Sequence, residues 1–332
     1  MLYREAFQRL MKDKFVVACL IVIGVSLVLA LLSWFPAVAA NPQEQYKEAD
    51  EITLIERSYH PPSLLIAIGV IDEANNKPLT PEQEKAFEWG LFSKAAWSLP
   101  LGGDKDGRSV LSMSLHGLRY AFIIGLVTTI ISVLIAVPIG AAAGFFGGVT
   151  DELIVWFYTT LVAIPQLLLL IALTIAMPDS IKSDPAWGLI AVLVAIGITT
   201  WVGLARLIRA EFMKHKQREY VQAARALGFT NSRIMFKHMF PNVTHIVIIY
   251  FTISFVGAVN LEVFLSFVGI GIPATTPTWG QMISEAKNEL TREPNVWWPL
   301  TTATLFLFTL SLAFSIAGDA LRDALDPKLR TG

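Results

Sequence analysis

The stretch "YAFIIGLVTTIISVLIAVPIGAAAGFFGGV", residues Tyr120–Val149, contains no charged residue. A helix rises about 1.5 Å per residue, so this stretch is long enough to cross a hydrocarbon core of about 30 Å. The composition of the whole chain agrees, since 54% of its 332 residues are hydrophobic and only 16% are charged. A soluble domain carries about 25% charged residues. The sequence therefore indicates a membrane protein.

Five further apolar runs of similar character occur along the chain. They are Phe15–Phe35, Leu153–Met177, Trp187–Leu204, Val243–Val268 and Val296–Ala317. Six such runs leave no polar face that could meet water, which argues against a soluble protein. In lipid, a single span of this length satisfies all its backbone hydrogen bonds only as a helix. The sequence predicts an all-α multi-pass membrane protein with six transmembrane helices.

The first apolar run also has features of a cleaved signal peptide. A basic start precedes it, and the small residues "AVAA" (Ala37–Ala40) follow it. The apolar part of a cleaved signal spans about 7–15 residues, whereas Phe15–Phe35 is longer. This length favours a retained membrane anchor over a signal peptide.

The distribution of lysine and arginine predicts the orientation. These residues concentrate before the first run, between the fourth and fifth runs, and after the sixth. Positively charged segments next to membrane helices stay in the cytoplasm, so both termini are expected inside. The segment between the fourth and fifth runs contains eight of the 26 lysine and arginine residues in the chain: Arg206, Arg209, Lys214, Lys216, Arg218, Arg225, Arg233 and Lys237.

These features divide the chain into four parts. We expect a cytoplasmic N-terminus with the first helix (1–35) and an external insertion with the segment before the second helix (36–118). A transmembrane core (119–318) with a cytoplasmic loop (206–242) follows, and a cytoplasmic tail (319–332) ends the chain. The insertion is rich in Glu, Asp, Pro and Gln, and Pro81–Ser93 is its best helix candidate. It is either a contact surface for an external partner or a variable loop.

Two patterns inside the runs predict helix packing and a polar site. Gly140, Gly144 and Gly148 recur at four-residue spacing, which places small residues on one helix face where a second helix can approach closely. Glu262, with Asn260 beside it, is the only acidic residue in any of the six runs. An acidic side chain near the outer end of a span either lines a water-filled pathway or extends toward the membrane surface.

No catalytic or metal-binding motif occurs in the sequence. It lacks the phosphate-binding loop pattern, the H-E-x-x-H pattern and any Cys/His spacing typical of metal sites. We therefore predict no catalytic residue, no metal site, no cofactor bound by this chain and no nucleic-acid partner. The chain is expected to move a solute through the lipid bilayer, with an energy source that lies outside it. A secondary transporter, a channel and a membrane enzyme are the alternatives.

The polar stretch "REYVQAARALGFTNSRIMFKHMFPNV", Arg218–Val243, interrupts the apolar pattern. Its residues predict a short helix over Glu219–Leu227, which Gly228 ends because glycine tolerates the left-handed conformation. Thr230 or Asn231 then caps a second short helix. Pro241 stands where a new helix is expected to begin. Small residues on the first short helix offer a surface for close docking of another protein: Ala223, Ala224 and Ala226.

This stretch resembles the EAA loop of the membrane subunits of ABC importers. Ala223-Ala224 is followed at the expected spacings by Gly228 and Pro241, while Gln222 replaces the usual Glu and His238 the usual Ile. The loop residues that the resemblance assigns to coupling with an ATPase are Glu219, Tyr220, Gln222, Ala223, Ala224, Gly228, Arg233, His238 and Pro241.

Further motifs narrow the resemblance to the dipeptide/oligopeptide/nickel permease family, in particular its second, C-type membrane subunit. They are "LGGDKDGRSVLSMSLHGLR" (Leu101–Arg119), "AAGFFGG" (Ala142–Gly148), "EYVQAARALG" (Glu219–Gly228), "LSFVGIG" (Leu265–Gly271), "PTWG" (Pro277–Gly280) and "GDALRDALDPKLR" (Gly318–Arg330).

The resemblance implies a type I ABC importer permease fold in the bacterial inner membrane. Such a permease pairs with a homologous B-type permease subunit to form a pathway. One or two ABC ATPase subunits, which hold ATP and Mg, dock on its cytoplasmic loop, and an extracytoplasmic solute-binding protein delivers the solute. The chain itself is then a transport subunit and not an enzyme. Peptides lead among the solutes, with nickel complexes, glycosides and peptide antibiotics as the other candidates.

Overall fold

The computed structural model describes residues 10–35, 62–63, 99–273, 275–291 and 296–325. In these ranges the regular structure is helical, apart from one antiparallel bridge between Gly103 and Ser109. The predicted helix Pro81–Ser93 lies outside the described residues.

Within the described residues the helices occur in the following order along the chain. They are α1 (Lys14–Leu32), α2 (Val110–Phe146), α3 (Gly148–Val162), α4 (Gln166–Ala176), α5 (Asp179–Lys182), α6 (Pro185–Lys216), α7 (Glu219–Ala226), α8 (Asn231–Arg233), α9 (Phe240–Phe267), α10 (Trp279–Ala286) and α11 (Trp298–Leu325). A π turn, Ile234–Met239, joins α8 to α9, and a 3-10 turn, Glu289–Thr291, follows α10.

Within the described ranges, five helices are long and apolar enough to cross a membrane: α1, α2, α6, α9 with the residues just before it, and α11. The pair α3 and α4, bent by 82°, gives a sixth span if its two halves are taken together. The bend falls at Pro165, whose backbone is extended between the two helices. Proline lacks the N–H of a helix hydrogen bond and disfavours helical geometry in the residue before it. Five of the predicted runs therefore coincide with one of these long helices, and the run Leu153–Met177 coincides with the bent pair α3 and α4.

Several helices extend beyond their apolar runs. Helix α2 begins at Val110, inside the segment predicted to precede it. Helix α6 continues to Lys216, into the predicted loop 206–242, and α11 continues to Leu325, into the predicted tail 319–332. Hydropathy marks only the part of a helix that lies in lipid, whereas arginine, lysine, methionine and glutamate continue a helix readily. The non-helical part of the predicted loop is accordingly shorter than expected.

The end of α2 corrects one packing prediction. Gly147 and Gly148 both have positive φ, at 70° and 55°, so the helix stops at Phe146. Gly148 is the first residue of α3, and a Cβ added there would meet nothing within 4 Å. The prediction that Gly148 shares a helix face with Gly140 and Gly144 is therefore wrong.

Compact packing divides the chain into two units. The first unit comprises Met1–Ile21, Ile124–Leu261 and Leu312–Gly332. In this unit α2 packs directly on the backbone of α6. A Cβ added to Gly140 would lie 2.5 Å from the carbonyl oxygen of Ala205, and one added to Gly144 would lie 2.5 Å from that of Arg209. These two glycines thus allow the close approach that the sequence predicted.

An ion pair also holds α3 against α6 in the first unit. The guanidinium of Arg209 donates two hydrogen bonds to the carboxylate of Asp151, at 2.5 and 2.6 Å. Planar, paired geometry of this kind is the strongest form of ion pair between side chains. It fixes the start of α3 directly after the turn at Gly147.

The second unit comprises Val22–Ile123 and Glu262–Ser311. Its short helix α10 lies against α2, because the indole N–H of Trp279 donates to the carbonyl oxygen of Ser114 at 3.1 Å. Gly117 leaves room for that indole, since a Cβ there would lie 2.4 Å from the ring. Near the start of α2, the indole N–H of Trp298 donates to the carbonyl oxygen of Gly103 at 2.9 Å.

Three carboxylates of the second unit surround one arginine. Arg108 bonds Asp104 at 2.6 Å, Asp106 at 3.0 Å and Glu285 at 2.7 Å. Burial raises the pKa of Asp104 above its ordinary value, because desolvation outweighs the stabilising effect of Arg108. The three carboxylates lie close enough together to hold a metal ion. The guanidinium of Arg108 already supplies the positive charge at this cluster.

Candidate functional site

The segment between α6 and α9, Gln217–Met239, contains the residues that the sequence assigned to coupling except Pro241, which lies in α9; we call it the connecting segment. Its inner side is apolar. Val221 and Ala224 of α7 are 0% and 4% exposed, and they belong to a hydrophobic cluster with Phe145 of α2 and Phe212 of α6. The connecting segment is therefore packed onto the ends of two long helices instead of lying free.

This packing corrects the predicted docking surface. Ala224 faces the core of its own chain, because it stands three residues after Val221 and so shares its helix face. Ala223 and Ala226 are exposed as predicted, together with Gln222. Leu227, which follows the helix directly, is 73% exposed. These four residues, Gln222, Ala223, Ala226 and Leu227, form the exposed face of α7.

Gly228 ends α7 in the way that the sequence predicted. Its φ is 74°, its N–H donates to the carbonyl oxygen of Arg225 at 2.9 Å, and the N–H of Phe229 donates to that of Ala224 at 3.2 Å. This pair of bonds is the Schellman arrangement, which requires a left-handed residue at the position of Gly228.

The second predicted helix is not separate from the span that follows it. Thr230 caps α8 through a hydrogen bond from the N–H of Arg233 to its hydroxyl, at 3.4 Å. The π turn then leads directly into α9, whose first turn contains Pro241. A proline inside a continuous α-helix clashes with the carbonyl group four residues earlier. The wider π turn before Pro241 accommodates the ring, so the helical run continues through the proline instead of restarting at it.

Phe229 is a residue that the sequence analysis missed. The guanidinium carbon of Arg233 lies 4.4 Å from the centre of its ring. The imidazole of His238 stacks on the same ring, with 5.4 Å between centroids and 7° between planes. The only feature of the sequence that could have pointed to Phe229 is its place directly after the glycine that ends α7. Arg233 and His238, both predicted loop residues, are brought together by this ring.

Polar contacts tie α7 to the end of α6. The hydroxyl of Tyr220 lies 2.9 Å from Nδ1 of His215, and the side-chain amide of Gln222 donates to the carbonyl oxygen of Gln217 at 3.3 Å. Burial raises the pKa of Tyr220 above its ordinary value. Glu219 lies exposed in the first turn of α7 and is the only acidic residue of the connecting segment.

The connecting segment presents a positively charged surface. Four of its side chains are exposed cations: Arg218, Arg225, Arg233 and Lys237. Against the single carboxylate of Glu219, they favour a partner whose surface is acidic. Arg225 also lies over the ring of Phe145, at 5.2 Å from its centre. The apolar Leu227 lies beside these charges in the sequence, so the exposed face offers both hydrophobic and electrostatic contacts.

Glu262, near the end of α9, lies in the second unit and is 2% exposed. One of its carboxylate oxygens accepts hydrogen bonds from Ser266 and Thr278, both at 2.8 Å. Thr278 in turn caps α10 by accepting the N–H of Gln281 at 3.2 Å. The alternative that Glu262 extends to the membrane surface is therefore wrong, since the carboxylate binds its own chain. Asn260 is exposed, and a pathway role for either residue stays a prediction.

Comparison with known proteins identifies the family to which the chain belongs. A family model described as "Binding-protein-dependent transport system inner membrane component" matches residues 136–331, which include the whole connecting segment. A chain of the inward-facing MetNI methionine ABC transporter aligns with a TM-score of 0.49 and 16% identity, over 64% of this chain and 96% of that chain.

Curated relatives match over most of their length. The oligopeptide transport system permease protein OppC of Bacillus subtilis is 36% identical over 238 residues, 72% of this chain and 73% of the relative. The dipeptide transport system permease protein DppC of the same organism is 34% identical over 229 residues, 69% and 68% of the two chains. These matches confirm the predicted resemblance and the fold class of an all-α, multi-pass permease. The chain belongs to the family of binding-protein-dependent transport system inner membrane components and is a membrane permease subunit.

Proposed function

We propose that this chain is the C-type permease subunit of an ATP-driven importer for peptides. It forms the pathway together with a homologous B-type permease and receives solute from an extracytoplasmic binding protein. The relatives that match over two thirds of this chain are named for oligopeptide and dipeptide transport, which supports peptides as the solute class. ATP and Mg belong to the partner ATPase subunits, and this chain contributes no residue to hydrolysis.

The observation that carries the proposal is that one side of α7 is buried in its own chain and the other side is exposed. Its inner side, Val221 and Ala224, is buried among residues of α2 and α6, and its outer side presents Leu227 to solvent. An ATPase groove that takes the outer side can move the ends of both long helices through the inner side. Because packed interiors are stiff, a displacement of α7 passes to those helices with little loss.

The orientation is part of the proposal. With both termini inside, the connecting segment is cytoplasmic and the insertion after α1 is external, as the lysine and arginine count supports. A reporter enzyme that is active only outside the cytoplasm, fused after Glu88, is expected to be active. The same reporter fused after Gly228 is expected to be silent. Activity after Gly228 would overturn both the orientation and the proposed docking of ATPases.

Docking is tested at the exposed face. We expect Leu227→Asp to insert normally but to bind the ATPase subunits about tenfold more weakly, because a buried leucine at the centre of an interface contributes on the order of 1–2 kcal/mol. Leu227→Met, which keeps an apolar side chain of similar volume, is the matched control and is expected to bind nearly normally. Co-purification of the ATPases and binding-protein-stimulated ATP hydrolysis measure the effect. Unchanged binding of Leu227→Asp would mean that α7 is only a helix on the membrane surface.

The role of Glu262 is tested by two substitutions. Glu262→Ala leaves the hydroxyls of Ser266 and Thr278 without their acceptor, and a buried group left unpaired costs about 1–3 kcal/mol. We expect peptide uptake to fall several-fold while the complex with the partner permease still assembles. Glu262→Gln keeps an acceptor oxygen and is expected to retain most of the uptake.

The two variants separate three roles for the carboxylate: an acceptor of hydrogen bonds, a negative charge in the pathway, and a purely structural group. Loss of uptake in Glu262→Gln as well would show that the negative charge itself is needed, as a pathway residue requires. Loss of the assembled complex in Glu262→Ala would make the residue purely structural. Both measurements use the purified complex in proteoliposomes.

A further inference from the structure

We propose that Phe229 is a positioning residue whose ring holds α7 and the π turn together as one rigid body. Force applied to the exposed face of α7 then reaches the start of α9 without bending the connecting segment in between. This inference rests on the proposed function, because it takes the exposed face of α7 to be the place where an ATPase pushes.

The backbone around Phe229 supports the inference first. Its N–H donates to the carbonyl oxygen of Ala224 at 3.2 Å, so Phe229 is bonded to the last turn of α7. Only Thr230 separates it from α8, whose first turn that threonine caps. Phe229 is therefore attached to both helices through main-chain geometry, and its side chain has little freedom to leave the junction.

The ring of Phe229 then joins α7 to the π turn. Arg233 and His238, which both lie against the ring, are five residues apart. In an α-helix, residues at that spacing point about 140° apart and could not face one ring. A π turn bonds each residue to the one five positions later, which brings side chains at this spacing to nearly the same side. The π turn is thus the geometry that allows both contacts with Phe229.

A shared core lies beneath the ring. Phe229 packs against the cluster that contains Val221 and Ala224 of α7. The same cluster contains three residues of the π turn that are almost fully buried: Ile234, Met235 and Met239. The stack above and the cluster below give α7 and the π turn two independent sets of contacts, which is what a rigid junction requires.

The inference can be tested by a distance measurement that does not depend on transport. In the assembled complex, with the one native cysteine removed by Cys19→Ala, nitroxide labels at Glu219→Cys, which lies outside the exposed face of α7, and at Lys237→Cys report the distance between α7 and the π turn. Both positions are exposed. We expect one narrow distance distribution that stays narrow when the ATPases bind ATP. Phe229→Leu keeps an apolar side chain but removes both ring contacts, and it is expected to broaden the distribution at least twofold.

Transport supplies the second readout. Uptake of radiolabelled trialanine per ATP hydrolysed is expected to fall about fivefold in Phe229→Leu, given the usual strength of a stacked pair and a cation–π contact. Phe229→Tyr keeps the ring and is expected to restore both readouts. Phe236→Leu is the matched control, because this ring belongs to the same π turn but is 49% exposed. If Phe229→Leu does not assemble, the double variant Arg233→Met, His238→Leu removes the same contacts from the other side.

Each outcome decides the matter. An unchanged distance distribution in Phe229→Leu, or equal broadening in Phe236→Leu, overturns the inference. Broadening without any change in uptake per ATP shows that rigidity at Phe229 does not serve coupling, and it overturns the positioning role. Loss of ATPase binding in Leu227→Asp is measured separately. Unchanged ATPase binding in Leu227→Asp, together with a distance that depends on Phe229, would therefore refute the proposed docking and leave the rigid junction standing.

Discussion

Gly144→Ala is expected to lower the yield of folded, assembled permease by roughly tenfold, although it adds a single methyl group. The new Cβ would lie 2.5 Å from the carbonyl oxygen of Arg209 and 2.6 Å from Cβ of Phe212. Both atoms belong to α6 and cannot turn away, because one is backbone and the other is attached directly to it. The two helices must separate, and overpacking of this kind costs about 1–3 kcal/mol. Gly144→Val adds more volume and is expected to lower the yield further.

The control for Gly144 is a glycine whose helix face is open. A Cβ added at Gly24 of α1 would meet nothing within 4 Å, so Gly24→Ala is expected to leave the yield unchanged. Size-exclusion chromatography of detergent-solubilised complex measures the folded fraction of each variant. A normal elution profile and normal thermal stability of Gly144→Ala would mean that α2 and α6 are not packed as closely as the structure places them.

The transmembrane part was largely predictable from the sequence, because insertion into lipid depends on hydropathy summed over many residues. The ends of its helices were not. Helix α6 continues from Leu204 to Lys216 since polar residues also form helices, and hydropathy carries no information there. The four-residue spacing identified Gly140 and Gly144 correctly, but it could not show that Gly147 and Gly148 end the helix. The end of α2 depends on the positive φ angles of these two glycines, which the spacing of residues does not show.

The connecting segment was recognisable from the spacing of a few small residues, but its faces were not. Alanine is neutral between core and surface, so the sequence did not distinguish Ala223 from Ala224. The side chain of Phe229 gains its role only from the π turn, and a π turn has no sequence pattern that we could read in advance. The carboxylate of Glu262 accepts a hydrogen bond from Thr278, sixteen residues away at the start of α10, and local sequence patterns do not show a contact of that kind.

Gly228 and Gly144 separate two reasons for which a protein needs glycine. Gly144 has ordinary helical geometry and no room for a side chain. Gly228 has the opposite combination, since its φ is 74° and a Cβ added there would meet nothing within 4 Å. Substitutions at Gly228 should therefore be ranked by their tolerance of left-handed geometry and not by their volume.

We expect Gly228→Val to lower peptide uptake about tenfold or more, with normal insertion into the membrane. A β-branched residue in the left-handed region costs on the order of 1–2 kcal/mol or more. This strain weakens the two hydrogen bonds at the end of α7, which the N–H groups of residue 228 and Phe229 donate. With those bonds broken, α7 no longer holds its exposed face at a fixed angle to α8. Binding-protein-stimulated ATP hydrolysis and uptake, compared in proteoliposomes, measure the effect.

Asparagine provides the decisive comparison at Gly228, because its side chain has one heavy atom more than that of valine and yet it tolerates the left-handed region far better. Gly228→Asn is expected to keep most of the uptake, and Gly228→Ala to fall between the two. Equal loss in Gly228→Asn and Gly228→Val would show that size matters at this position and that a partner subunit covers it. Full uptake in all three variants would mean that the Schellman end of α7 plays no part in coupling, and that the exposed face of α7 works without a fixed angle to the rest of the connecting segment.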